Sequence, residues 1–207
     1  MNKTYEWLRL SVLSSSMSKL CLGGAFLTIA QVFFIGKMAF DITPNFIGTL
    51  LVMWAISNYS SHHDLFKKSY LQFKLLTIWF VIAFVILLFA FVGEQIVWFN
   101  VLYMWIDFIA THYALYLIIR LLNIMEKDAG CFRRSITWYV AWIILTVANM
   151  CSIIASQATV IIGPISQSFV VGIGTMILLA LIFGFLGTVI LLALFYIAAR
   201  RYNRLSD

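Results

Sequence analysis

Charge is what this sequence has least of. Only 11% of its 207 residues are Asp, Glu, Lys or Arg, against ~25% in an ordinary soluble domain. Apolar residues make up 63% and the mean hydropathy is +1.00, so a disordered tail and a soluble globule are both excluded: a globule this apolar would have to expose much of that surface to water. Cysteine is scarce as well. Cys21, Cys131 and Cys151 are an odd number with no C-x-x-C pair, which indicates neither a disulfide framework nor a zinc site. There is no G-x-S-x-G, no H-E-x-x-H and no pair of deep aspartates, so an enzyme is not expected, nor a cofactor or a metal. Outside the apolar runs too little polar sequence remains for a soluble domain of the usual ~50 residues or more.

What is present is a series of apolar runs bounded by charge. A helix needs roughly 20 apolar residues to cross the ~30 Å hydrocarbon layer, and six runs qualify, at 20–36, 44–59, 75–92, 96–119, 136–155 and 169–199. The expected fold is all-α, a membrane bundle of six helices over residues 20–199. A cytoplasmic segment, 1–19, precedes it, and a basic cytoplasmic tail, 200–207, follows. Tyr5, Leu8 and Val12 at helical spacing give the first segment an interfacial, amphipathic look. No small-residue cleavage site follows it, so a signal peptide is not expected.

Lys and Arg set the orientation, because cytoplasmic loops carry them in excess. With the amino end inside, every one of the 14 except Lys37 falls on the cytoplasmic side. Removing the short second run would put basic loops on the wrong side. The expected location is the cell membrane, multi-pass, with both termini cytoplasmic. The dispersed basic residues suit anionic inner-leaflet headgroups rather than nucleic acid. Thr43-Pro44 reads as a helix start, and Ser61 three residues before Asp64 as a capping box that begins the third helix ahead of its apolar run.

The informative residues are those that break the apolar runs. An ionisable group at membrane depth is costly and is a functional hypothesis by default. At ~100° per residue, Asn100, Tyr103, Asp107 and Thr111 form one polar stripe on the fourth helix, and His112 lies about 140° from Asp107. The stripe reads either as a ligand or proton site around Asp107 or as a hydrogen-bond network that fixes packing. His112 reads as a relay or ligand, or as a histidine satisfied by another helix. Gly24, Thr28 and Gln31 on the first helix, and Thr146, Asn149, Ser152 and Ser156 on the fifth, are possible partners around a polar cavity. Lys37, Asp41 and Asn45, at the external start of the second helix, read as an outer gate or as a helix start with a surface ion pair. Ala180, Gly184, Gly187 and Thr188 give the sixth helix a small-residue face suited to close packing. Glu94 reads as a solvated turn residue, and His62-His63-Asp64 does not have metal-ligand geometry on one helix face.

The run Phe40-Asp41-Ile42-Thr43-Pro44-Asn45-Phe46-Ile47-Gly48, with Phe66-Lys67-Lys68 after it, resembles a segment of small uncharacterised polytopic membrane proteins of Gram-positive bacteria. Asn45 stands where that family more often has Asp. In size and six-helix layout the chain is also similar to the substrate-binding S components of energy-coupling-factor transporters. Those dock through small-residue repeats on the first helix, of which Gly24-x-x-x-Thr28 is a loose counterpart. Two functions fit: a membrane-embedded small-solute binding or transport subunit using the Asp107 stripe, or a non-catalytic accessory protein. The accessory protein would assemble through its helix faces with another membrane protein or with its own copies.

Overall fold

The computed structural model describes residues 3–29, 32–35, 38–41, 45–59, 64–90, 97–128, 135–162 and 167–203. Among them are six helices: α1 (Lys3–Ile29), α2 (Asn45–Tyr59), α3 (Asp64–Ala90), α4 (Val97–Asp128), α5 (Ser135–Ile162) and α6 (Gln167–Asn203). Between α1 and α2 lies a two-stranded antiparallel hairpin, β1 (Val32–Ile35) and β2 (Met38–Asp41), in the register Val32 to Asp41 through Ile35 to Met38.

Helices adjacent in sequence pack against each other, and α6 returns to α1, so the six close into a ring. The contacts of α4 extend further, to α1, α2, α3 and α5. Its apolar stretch Leu102–Lys127 is 56% buried, against 22% for those of α3 and α6, so α4 is the most enclosed of the long apolar helices. α3, α4, α5 and α6 are each long and apolar enough to cross a membrane. Their outward residues are apolar as well, with Leu75, Ile109, Ile136 and Phe185 all more than half exposed. Water would penalise that surface and lipid does not. The fold is therefore compatible with a multi-pass membrane protein.

The α1–α2 contact depends on glycine. A Cβ on Gly23 would sit 2.7 Å from the Gly48 carbonyl oxygen and 2.6 Å from Val52 Cγ2, and one on Gly48 would sit 3.0 Å from the Gly23 carbonyl oxygen and 3.0 Å from Leu27 Cγ. Only residues without side chains allow two backbones this close. Gly24 in turn receives the ring of Phe195 from α6, and that ring also packs at a tilt of 50° against Trp138 of α5, 5.1 Å between centroids. The glycine pair thus holds α1 between α2 and α6.

Two expectations change here. The interfacial segment and the first apolar run were expected as separate pieces with the run helical from Leu20 to Gly36; α1 instead runs unbroken from Lys3 and stops at Ile29, and the last part of the run enters β1. Val32-Phe33-Phe34-Ile35 is β-branched and aromatic, a composition that suits a strand, and a short apolar run has no periodicity to separate strand from helix. The second change concerns α4, which continues past Arg120 to Asp128 rather than ending at Ile119.

Heights along the bundle follow from the contacts. Leu27 of α1 lies beside Gly48 of α2, and the Asn45 amide reaches Thr111, near the midpoint of α4. The helical parts of α1 and α2 therefore end about halfway along α4. The hairpin joins them, with β2 packed on α3. At 15 residues α2 is ~22 Å long, short of the ~30 Å hydrocarbon layer.

Candidate functional site

α4 carries two polar faces, one toward α5 and one toward α2. Thr111 and His112 are consecutive, so one residue step of ~100° separates the faces.

The α5 face is fully bonded around His112, which is 5% exposed. Its Nε2 lies 3.2 Å from the Asn149 amide nitrogen, and its Nδ1 lies 2.9 Å from the Thr146 hydroxyl. An amide nitrogen only donates, so with the side-chain amide assigned this way Nε2 is the acceptor and the ring proton is on Nδ1. Nδ1–H then donates to Thr146 Oγ1, which passes its own hydrogen to the Trp142 carbonyl at 2.8 Å. The Trp142 indole closes the loop by donating to the His112 carbonyl at 3.1 Å. Phe108 covers the imidazole at 4.5 Å between ring centroids. Nearer the Val97 end, Trp105 Nε1 donates to Gln157 Oε1 at 2.8 Å. Both nitrogens of the ring are used within the protein, and a closed network of this kind specifies which faces of two helices meet.

The α2 face is incomplete. Asn45 is 5% exposed. Its amide nitrogen makes a single long donation, 3.5 Å, to Thr111 Oγ1, and its Oδ1 is buried with no partner. Leaving such an acceptor unpaired costs about 1–3 kcal/mol. Asp107 and Tyr103 share this face one and two turns beyond Thr111. Both are half-buried and both have interaction partners, so Asp107 is less deeply enclosed than its place in an apolar helix implies. Asn100 belongs to the same face of α4, but its side chain lies outside what the structure describes.

The other expected residues are distributed as follows. Gln31 and Lys37 lie outside the described residues. Asp41 is the last residue of β2, paired in register with Val32, and its side chain also lies outside them. Thr28 is buried and donates to the Gly24 carbonyl of its own helix at 2.7 Å, so it turns no hydroxyl toward α4. A Cβ on Gly187 would lie 3.1 Å from the Leu145 backbone, and one on Gly184 would lie 3.5 Å from Asn149 Oδ1. The small-residue face of α6 is thus taken up by α5 inside this chain, with Ala180 buried and Thr188 half-buried along it. Next to that contact α5 and α6 part into a groove of about 430 Å³, lined among others by Ile143, Val147, Cys151, Met176 and Phe183, without polar surface.

Three features escaped the sequence reading. Trp105–Gln157 and the Trp142 indole are interior bonds of aromatic residues that composition reads as apolar. Glu126, buried at 7% exposure, lies in the part of α4 expected to be a basic loop. No group of three or more His, Cys, Asp or Glu that would hold a metal occurs among the described residues.

Compared with known proteins, the chain matches no family model, no curated protein and no solved structure.

Proposed function

We propose that this chain is a six-span cell-membrane protein, both termini cytoplasmic, that binds or transports a small solute at the α2-facing stripe of α4. The basic residues support the orientation: all but Lys37 of the 14 fall on one side when six crossings are counted. On that side they meet anionic headgroups. The resemblance to small polytopic proteins of Gram-positive bacteria agrees with the membrane part of this reading, and the likeness in layout to transporter S components with its solute-binding part.

One observation carries it: the helical parts of α1 and α2 end beside the middle of α4, and a β-hairpin packed on α3 joins them. Each strand of a two-stranded pair keeps one edge of N–H and C=O groups unused by its partner. Non-helical backbone at membrane depth persists only where protein covers it or water reaches it. β2 packs on α3; the remaining edge calls for water, and on this reading that water fills an outer vestibule and also reaches the polar stripe of α4. Interrupted helices whose ends meet at mid-membrane are a recurrent way to build a solute site. The unpaired Asn45 Oδ1 fits the same reading: it is closed to water in this structure and gains a partner when a solute displaces its cover.

The accessory reading is the alternative. Of the residues that motivated it, Ala180, Gly184, Gly187 and Thr188, the two glycines are engaged by α5 within the chain, which favours the first reading. Neither reading assigns a catalytic residue or a nucleic-acid partner.

Hydrogen exchange of the protein in lipid nanodiscs tests the vestibule. The amides of 32–41 are expected to exchange within minutes, while those of 112–122 stay protected for hours. Protection of the hairpin equal to that of central α4 overturns the reading.

A further inference from the structure

The proposed site offers acceptors, and we infer that it receives a primary ammonium group, as carried by a small amine or an amino acid. The inference rests on the solute-binding reading and adds the chemistry of the solute. With the side-chain amide assigned this way, Asn45 turns its nitrogen to Thr111 at 3.5 Å, which leaves its buried, unpartnered carbonyl oxygen as the atom in need of a donor. Asp107 lies one turn beyond Thr111 on the same face. An ionised carboxylate accepts hydrogen bonds at about four lone-pair positions, so the partner Asp107 already has leaves capacity for another donor. The Thr111 hydroxyl oxygen lies between the two.

An ammonium has three N–H donors and no acceptor, which matches these three oxygens in number and polarity. The spacing fits as well. One helical turn separates Asp107 from Thr111 by ~6 Å, and a nitrogen bridging two oxygens at ~2.8–2.9 Å each spans about the same distance. The end of α1 adds to this polarity. Ile29 closes α1 a turn or less from Asn45, judging by the Leu27–Gly48 contact, and the last carbonyls of a helix lack helical partners and carry partial negative charge. Among the described residues of the helices that meet here, cations are distant: α2 has no Lys or Arg, Lys19 of α1 is ~12 Å of helix before Leu27 and lies over the Trp54 ring, and Arg120 is ~13 Å of helix beyond Thr111.

The test is the thermal unfolding midpoint of the full chain in nanodiscs, followed by tryptophan fluorescence. The probes are methylammonium chloride, glycine, tetramethylammonium chloride, sodium acetate and acetamide, each against sodium chloride of equal ionic strength. A ligand that binds only the folded state raises the midpoint with concentration. Methylammonium and glycine are expected to raise it by several degrees. Tetramethylammonium, which has charge but no N–H, is expected to leave it in place, as are acetate and acetamide. Asp107→Asn is expected to abolish the methylammonium shift, and Asn45→Leu to reduce it severalfold; Thr111→Val, close in shape, replaces either variant that does not fold. An acetate or acetamide shift that Asp107→Asn removes overturns the ammonium assignment and keeps the solute site. A methylammonium shift unchanged in all the variants that fold overturns the placement at this stripe. No shift with any probe overturns both the assignment and the site.

Discussion

His112→Ala is expected to cost the protein about 3–5 kcal/mol of stability while leaving solute binding intact in the molecules that remain folded. Emptying a packed position costs ~2–5 kcal/mol, and here the position is filled by a ring that touches Phe108 and is 5% exposed. The hydrogen bonds add less, since those between membrane helices average only ~0.6 kcal/mol each. The substitution leaves the Asn149 amide nitrogen without its acceptor. Two bonds survive it: Trp142 donates to the backbone carbonyl of residue 112, and Thr146 donates to the Trp142 carbonyl. The loss is therefore mostly cavity, and His112→Gln, which refills part of the space and can accept from Asn149, is expected to restore roughly half of it. Equilibrium unfolding in mixed detergent micelles reads both values. An alanine variant as stable as the wild type shows that the α4–α5 network does not hold the bundle.

Asp107→Asn is expected to do the reverse: to keep the unfolding midpoint within about a degree while abolishing solute retention or uptake. Asparagine preserves the shape and removes the charge. At a half-buried position bordering the proposed vestibule, the carboxylate contributes little to packing, and surface-type charge interactions are worth about 0–1 kcal/mol. What it contributes to a bound cation is large, because truncating one partner of a desolvated charged pair typically costs 2–5 kcal/mol. That converts to roughly a 30- to 4,000-fold loss of affinity at 1.4 kcal/mol per factor of ten. Mass spectrometry of small molecules released from wild-type and variant protein, purified in parallel from membranes, provides the readout. A solute held by both forms alike places the site elsewhere.

Periodicity along single helices was legible in the sequence, and meetings between helices were not. The separation of Asp107 and His112 by about 140° on α4 follows from helix geometry alone, and in the structure the His112 ring nitrogens go to Thr146 and Asn149. Nothing in the spacing says that the polar sector of α5 faces His112 rather than Asp107, because a helical pattern gives a face without its partner. Gly24-x-x-x-Thr28 has the same ambiguity: it serves packing on α6 and an internal bond. β1 was hidden because Val32–Ile35 continues an apolar run already long enough to be a span. Glu126 was missed because an acid among basic residues reads as solvated, while α4 in fact carries it into contact with the bundle. Asn45 was singled out as a helix start, and its reach to Thr111 links what the sequence treats as two separate candidate groups, the outer gate and the stripe.

The central claim is that α4 has a closed face toward α5, bonded around His112, and a face toward α2 that water reaches from the outside. Thiol labelling tests it directly. In protein whose Cys21, Cys131 and Cys151 are replaced, single cysteines at Thr111 and Thr146 are exposed in intact cells to a membrane-impermeant cationic thiol reagent. Thr111→Cys is expected to be modified within minutes, and Thr146→Cys, from the opposite seam at a similar height, to remain unmodified. Modification of Thr146→Cys with Thr111→Cys protected would contradict the account.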